Sequence, residues 1–237
     1  MEYPLREYYK KYLVDVRLLS ISSVNHYIDA INWISKFLVK RGLIKESLYE
    51  ILDLDVLEQL VSVILADSEF YAMNKRGHQM YTSGLNNYLR FAKGEGFDQV
   101  TLQSSLMDIP LQTPNSIQSS KFNTWQRSGI IKEQSLEMAR YECEVDSRHK
   151  TFIASKNGKQ YMEGHHAIPM RLQESFNTSL DVYANIVCVC PICHRLLHYG
   201  QSDDKQPVLN KIYYMRSDRL ANSGIRLSCD DFIDLAI

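Results

Sequence analysis

The sequence lacks several features that would assign a protein class directly. Its 27 basic and 28 acidic side chains leave a formal net charge of −1, so overall charge does not indicate a nucleic-acid-binding protein. No apolar run approaches the roughly 18 residues of a membrane-spanning helix; the nearest is 60–66. Residues Met1–Arg6 contain no apolar leader. These absences predict a cytoplasmic protein of one or two domains without a membrane span.

Cysteine and histidine are scarce, but they are crowded into one part of the chain. Of five Cys and seven His in total, most lie between 143 and 198. The crowded residues are His149, His165, His166, His194 and His198, with Cys143, Cys188, Cys190 and Cys193. In a reducing compartment, such clustering indicates metal sites rather than disulfides.

Residues 1–98 have the hydrophobic period of helices. One apolar stripe follows the N-cap candidates Ser22–Ser23, a second opens at Asp55, and a third ends near Gly94. The opening segment 5–18 is also predicted to be helical. We therefore predict a small helical bundle over 1–98.

Residues 99–129 lose this period. The segment 109–116, IPLQTPNS, has the proline and polar composition of turns, and 99–129 is predicted to be a linker. A short helix is expected at 130–140, at the start of a second domain that spans 130–237. The predicted fold class is α+β.

Residues 150–200 alternate between strand and turn signals. Asn157–Gly158 is typical of a hairpin turn, and the β-branched run 185–190 is predicted to form a strand. Pro191 is suited to the first turn of a helix. The predicted order is strand, loop, strand, helix, followed by another amphipathic helix over 208–220.

The segment Cys190-Pro-Ile-Cys193 has the spacing of half a tetrahedral zinc site. Cys143 is the obvious third ligand. The fourth remains open between His149, which we favour as a nitrogen ligand, and Asp146, which stands where a second Cys-x-x-Cys would place its cysteine. Cys188 is a less favoured option, because it is more typical of a core residue. The alternative is a set of buried free cysteines without a metal.

Two histidine patterns add to this signal. His194 and His198 are four residues apart, which places both imidazoles on one face of a helix. His165 and His166 are adjacent, and neighbouring residues point to opposite faces of an ideal strand. At a strand end, one of the two can bind a metal while the other approaches a substrate.

Together these motifs resemble those of the HNH, or ββα-metal, endonucleases. The resemblance rests on His-His-x-Ile-Pro at 165–169, Asn-Ile-Val-x-x-Cys-Pro-x-Cys-His at 185–194 and His-Tyr-Gly at 198–200. The segment 141–152 is similar to the zinc-knuckle branch of McrA-type restriction nucleases. The resemblance covers 130–225 and leaves the N-terminal half unassigned.

The resemblance implies a role for each residue of the catalytic motif. His165, His194 and His198 would bind the catalytic ion, Mg²⁺ or another divalent cation. His166 would be the general base that deprotonates the attacking water. Asn185 would brace the loop and orient His166 through its side-chain amide.

The same resemblance implies a structural site and a domain arrangement. The structural Zn²⁺ would be held by Cys143, His149, Cys190 and Cys193, with Asp146 as the alternative to His149. Arg195 would contact phosphate or have only a surface role. Residues 130–237 would be a ββα-metal nuclease domain with a C-terminal helix, and 1–98 would serve DNA binding, specificity or dimerisation.

The expected function is a metal-dependent DNA endonuclease, most plausibly a bacterial restriction or defence enzyme acting on double-stranded DNA. A homodimer is expected, because cleavage of both strands with one site per chain suggests two copies. One alternative is a non-catalytic zinc-stabilised DNA-binding module, which would leave His165, His166, Asn185, His194 and His198 without a role. Another is a toxin-like nuclease that cuts RNA, or DNA without specificity.

Overall fold

The computed structural model describes residues 3–100, 104–118 and 123–237. It combines helices with small two-stranded sheets, so the fold class is α+β. The chain divides into two compact units, Met1–Gly96 and Phe97–Ile237. Within the described ranges, no helix is both long and apolar enough to cross a membrane.

The first unit is built from helices. Its α-helices are α1 (Pro4–Lys11), α2 (Ile21–Lys40), α3 (Leu54–Ala66), α4 (Ser68–Arg76) and α5 (Met80–Ala92). The chain continues from α1 into a short π-helix at Tyr12–Val16. Helix α4 was not predicted from the sequence, since it is short and follows α3 with a single residue between them.

Side-chain caps begin three of these helices. Ser20 accepts a hydrogen bond from the backbone N–H of Ser23 and begins α2, while Asp53 and Asp67 cap α3 and α4. Two of the predicted starts were therefore two residues late, at Ser22–Ser23 and Asp55. Each of these apolar stripes is preceded by more than one residue that could cap a helix. The residue that does so is the one with an extended backbone at the helix start.

Aromatic side chains fill the core of the first unit. The ring centroid of Tyr9 lies 5.1 Å from that of Tyr88 and 5.3 Å from that of Phe91, and all three side chains are fully buried. Helices α2 and α5 cross closely at Gly84, where an added Cβ would lie 2.5 Å from the Cβ of Ala30. A glycine is required at this crossing because any side chain would push the helices apart.

The second unit has more varied elements. They are β1 (Ser116–Gln118), β2 (Asn123–Trp125), α6 (Gly129–Met138), β3 (Glu163–His166), β4 (Ile186–Val189), α7 (Pro191–Tyr199), α8 (Ser202–Asn222) and α9 (Cys229–Ala236). β1 pairs with β2, and β3 pairs with β4, both antiparallel. The first pair lies within 99–129.

The β3–β4 pair and helix α7 position the histidines. His165 is opposite Val187 and His166 is opposite Ile186 in the register of the two strands. β4 is buried along its whole length, as expected of its β-branched residues. α7 follows it after Cys190, with Pro191 in the first turn, where a missing N–H costs nothing.

Helix α8 is held by two buried ion pairs. Arg216 bonds to Glu144 at 2.5 Å, and Arg219 bonds to Asp108 at 2.7 Å. Glu144 also accepts a hydrogen bond from the backbone N–H of Cys188 in β4. The helix begins at Ser202, earlier than the predicted 208, because its polar first turn gives no hydrophobic period although its acidic residues suit a helix N-terminus.

Candidate active site and metal centres

A compact cluster of sulfur and nitrogen atoms joins two distant stretches of the second unit. It consists of Cys143 and His149, which precede β3, with Cys190 and Cys193, which follow β4. One ligand-type atom from each residue lies within 4.8 Å of all the others. The four side chains can hold a metal ion such as zinc.

The distances within this cluster match a tetrahedral zinc site. The Nδ1 atom of His149 lies 3.5 Å from the Sγ of Cys190 and 3.4 Å from the Sγ of Cys193. Zn–S and Zn–N bonds of about 2.3 and 2.0 Å at tetrahedral angles place sulfur and nitrogen about 3.5 Å apart. All three cysteines are buried and reduced.

The geometry distinguishes the two candidates for the fourth position. Nδ1 of His149 belongs to the cluster. The Asp146 carboxylate instead bonds to Arg148, with a shortest distance of 2.7 Å, and this side chain is the main cause of its lowered pKa. Asp146 approaches only the outer nitrogen of His149, at 4.0 Å, which is beyond hydrogen-bonding distance.

The ionisation of the thiols also fits a bound cation. Burial raises the pKa of Cys143, but backbone hydrogen bonds, chiefly from Cys190 and Asp146, bring it below its ordinary value. Burial and the neighbouring Cys190 thiol raise the pKa of Cys193. A bound dication would favour the thiolate at each of these positions, which is the ionisation state that a zinc ligand needs.

Three imidazoles converge at a second location. His165 at the end of β3 meets His194 and His198 on one face of α7, with ligand-type nitrogens within 4.8 Å of one another. The Nε2 atoms of His194 and His198 are 3.2 Å apart. Two helix positions four residues apart and one strand residue therefore form a three-nitrogen site for a cation.

The surroundings prepare this triad for metal binding. Burial, followed by the charges of His194 and His198, lowers the pKa of His165 to about 3, so its imidazole is neutral at pH 7 and offers a lone pair. Glu163 contacts Nδ1 of His194, which leaves Nε2 of that ring facing the site. A carboxylate behind a histidine ligand is the usual way of fixing its tautomer.

His166 faces a different partner from that of its neighbour His165. Its Nε2 lies 2.8 Å from Oδ1 of Asp181, and both side chains are largely buried. The other carboxylate oxygen of Asp181 accepts the backbone N–H of Ser128 at 2.7 Å. The imidazole is thereby fixed through one nitrogen, and Nδ1 remains for other chemistry.

Asn185 makes its side-chain hydrogen bonds to backbone atoms. Its Oδ1 accepts the backbone N–H of Ile168, and its Nδ2 donates to the carbonyls of Ile168 and Leu180. The fully buried amide thus ties together the two loops that carry His166 and Asp181. The side-chain contact to His166 comes from Asp181 and not from Asn185.

Cationic side chains surround the triad. Arg195 follows His194 on α7, is exposed, and contributes with burial and His194 to the lowered pKa of His198. Lys205 in the first turn of α8 is buried and acts on the same imidazole. Lys205 could not be predicted from the sequence, because one lysine in a polar helical turn carries no pattern.

Asp181 and Glu163 were also given no role from the sequence. Glu163 stands two residues before His165, a spacing that places both on the same face of a strand and could have suggested a partner. Asp181 lies 15 residues after His166 in a segment without hydrophobic period. Only the folded loop brings Asp181 to the imidazole.

Comparison with known proteins gives one informative match. The chain is 30% identical over 94 residues to the type IV methyl-directed restriction enzyme EcoKMcrA of Escherichia coli (strain K12). The match covers 40% of this chain and 31% of that protein, so it spans less than a third of the relative's length. No protein-family model matches the chain, and no solved structure does.

Proposed function

We propose that this protein is a metal-dependent DNA endonuclease of the bacterial restriction or defence type. The proposal rests chiefly on the convergence of His165, His194 and His198 beside a separate histidine–carboxylate pair. Similarity to a restriction enzyme supports nuclease chemistry and DNA as the substrate. In this proposal β3, β4 and α7 form the ββα-metal motif of an HNH nuclease domain spanning 130–237.

The remaining parts have supporting roles in the proposal. The cluster of Cys143, His149, Cys190 and Cys193 holds a structural Zn²⁺. The helical domain 1–98 contributes DNA binding, target choice or dimerisation. Two copies act together, because each chain offers one catalytic triad and a duplex has two strands.

His166 is the general base of the proposed reaction. In the tautomer whose Nε2 donates to Asp181, Nδ1 carries the lone pair and can take a proton from the attacking water. The imidazolium that forms is stabilised by the Asp181 carboxylate. A divalent ion held by His165, His194 and His198 would polarise the scissile phosphate and stabilise the leaving oxygen.

The donor set of the triad argues against Mg²⁺ as the preferred ion. Mg²⁺ favours oxygen ligands and retains several waters, whereas imidazole nitrogens suit transition metals. Of the ions that the resemblance allows, we therefore expect Mn²⁺, Co²⁺ or Ni²⁺ to support more activity than Mg²⁺. Arg195, exposed beside the triad, is proposed to contact the substrate phosphate.

Plasmid cleavage tests the proposed function. We expect the protein to nick or linearise supercoiled plasmid when Mn²⁺, Co²⁺ or Ni²⁺ is added, and to cleave more slowly with Mg²⁺. A chelator that removes the catalytic ion should abolish cleavage. His198→Ala should lose activity, because two imidazoles no longer fix the ion. His26→Ala is the matched control, since His26 is an exposed histidine of α2, outside both clusters.

The same assay separates the alternatives. Methylated and unmethylated plasmids are compared, because the matched relative is named as methyl-directed. Cleavage of RNA in preference to both would favour a toxin-like ribonuclease. DNA binding without cleavage under any ion would identify a zinc-stabilised binding module and refute the endonuclease.

Asp181→Asn tests the positioning of the base. The variant keeps the shape and can still accept the Ser128 N–H, but it removes the charge that stabilises the imidazolium. We expect kcat to fall by about 10²–10⁴-fold with KM little changed.

Asp230→Asn serves as the control, since Asp230 is an exposed acid at the start of α9. If Asp181→Asn keeps the wild-type kcat, Asp181 has no role in positioning the base. A lowered melting temperature with a wild-type kcat below the unfolding transition would indicate a structural role instead.

A further inference from the structure

A short hairpin, here called the 151–161 hairpin, projects from the second unit ahead of β3. Ile153 and Gln160 form its one bridge, and Tyr161 N–H donates to the carbonyl of Phe152 at 2.9 Å. Gly158, at φ 68, makes the turn that Asn157–Gly158 predicted. The Thr151 hydroxyl donates to the carbonyl of Tyr161 at 2.6 Å and closes the base.

The hairpin exposes two large apolar side chains at consecutive positions. Phe152 and Ile153 are each 65% exposed. Phe152 is not disordered by this exposure, because its ring stacks on that of Tyr161 with centroids 4.9 Å apart and planes 16° from parallel. The stack therefore holds the exposed Phe152 ring in a fixed orientation.

The charged side chains of the hairpin segment itself are all basic. Residues 147–162 contain Arg148, Lys150, Lys156 and Lys159 and no acidic residue. Asp146 compensates Arg148, and Glu137 compensates Lys159. The Lys150 ammonium donates to the carbonyl of Ser147, and this hydrogen bond does not neutralise its charge. A cationic segment around exposed apolar groups suits a polyanion with apolar surfaces.

The hairpin is also continuous with the candidate active site. The Tyr161 hydroxyl donates to Oε1 of Glu163 at 3.1 Å, and the other oxygen of Glu163 contacts His194 of the triad. The aromatic stack of the hairpin is thus two contacts from a proposed metal ligand. A nucleic acid bound at the triad would lie close to Phe152 and Ile153.

We propose that the 151–161 hairpin is a DNA-binding wedge that presses Phe152 and Ile153 against the bases of a groove while its lysines contact phosphates. This inference rests on the proposed endonuclease function. Apolar side chains of this kind partly unstack base steps when they enter the minor groove, and a duplex kinked in this way wraps more protein surface. The wedge would position the scissile phosphate at the triad.

The test is a duplex-binding measurement in a His166→Ala background, which prevents cleavage during the assay. The probe is a duplex of about 30 base pairs carrying 2-aminopurine, and binding is followed by anisotropy at several salt concentrations. We expect Phe152→Ser/Ile153→Ser to weaken binding at least about tenfold and to abolish the rise in 2-aminopurine fluorescence. Its salt dependence should be unchanged, because no phosphate contact is lost.

Lys150→Ala/Lys156→Ala should give the complementary result, a reduced salt dependence with 2-aminopurine fluorescence still rising at saturation. The control is Tyr214→Ser, because Tyr214 is 74% exposed on α8 and lies outside the hairpin. Melting temperature and zinc content are measured for each variant. The exposed hairpin positions should leave both near the parental values.

Three outcomes would overturn the proposal. In the first, the Phe152/Ile153 variant binds the duplex as tightly as the Tyr214 control does. The same two substitutions in a protein that keeps His166 also leave the KM of plasmid cleavage unchanged. In the second, the Phe152/Ile153 variant differs from its parent only in the molecular mass found by sedimentation. Phe152 and Ile153 would then form an interface between copies of the chain. In the third, the wild-type protein neither binds nor cleaves DNA, and the proposed function then fails with the wedge.

Discussion

Replacing His166 by alanine is expected to lower the turnover of plasmid cleavage by about 10²–10⁴-fold. The physical reason is that the attacking water must lose a proton, and Nδ1 of His166 is the acceptor left available when Nε2 bonds to Asp181. His166 is not among the residues of the imidazole triad, so ion binding should be retained. The measurement is single-turnover cleavage of supercoiled plasmid at saturating ion.

The control experiments separate the base from the fold. DNA affinity, zinc content and melting temperature should match those of the wild-type protein, and His26→Ala should cleave normally. Added imidazole should restore part of the activity by entering the vacated space as a base. Equal cleavage by wild type and His166→Ala would refute the role of His166, even if metal dependence persists.

Loss of the Cys/His cluster is expected to unfold the second unit. Structural zinc contributes an apparent binding free energy of about 10–16 kcal/mol in zinc-finger peptides, comparable to the total stability of about 5–15 kcal/mol of a typical domain. Cys193→Ser removes one of three buried sulfur donors. We expect loss of the bound zinc and a melting temperature lowered by more than 10 °C, roughly the effect of several kcal/mol.

Cys188→Ala is the matched control for this prediction. Cys188 is fully buried and close in sequence to Cys190, but it is not a member of the cluster. Its replacement leaves a small cavity and should cost about 1 kcal/mol, with zinc content unchanged. Native mass spectrometry and circular dichroism measure both quantities. Equal zinc content and stability in the two variants would show that the cluster is a set of buried thiols without a structural metal.

Local signals in the sequence predicted much of the secondary structure of the second unit. The predicted helix at 130–140 is α6 (Gly129–Met138), the run 185–190 contains β4, and Pro191 begins α7. These predictions succeeded because turn residues, β-branched runs and helix-start residues act over a few neighbours. Helix α9 was not predicted, since at eight residues it offers little period to detect.

The candidate site likewise has one part that the sequence predicted and another that it did not. The i, i+4 spacing of His194 and His198 is a property of any helix and was readable without a structure. The partner of His166 was not readable: Asp181 arrives through a loop, and Asn185 holds that loop by bonds to backbone atoms. Sequence spacing cannot indicate contacts that depend on how an irregular segment closes.

The sequence by itself determined the chemistry available: thiols and imidazoles at metal-ligand spacing, two adjacent histidines, and a helix start directly after a strand. Only the tertiary structure decided which atoms meet. It placed His149 rather than Asp146 among the cysteines, and it paired His166 with Asp181. The physical reason is separation along the sequence. Secondary-structure propensity and motif spacing depend on residues within a few positions of each other, whereas these contacts join residues 15 or more positions apart.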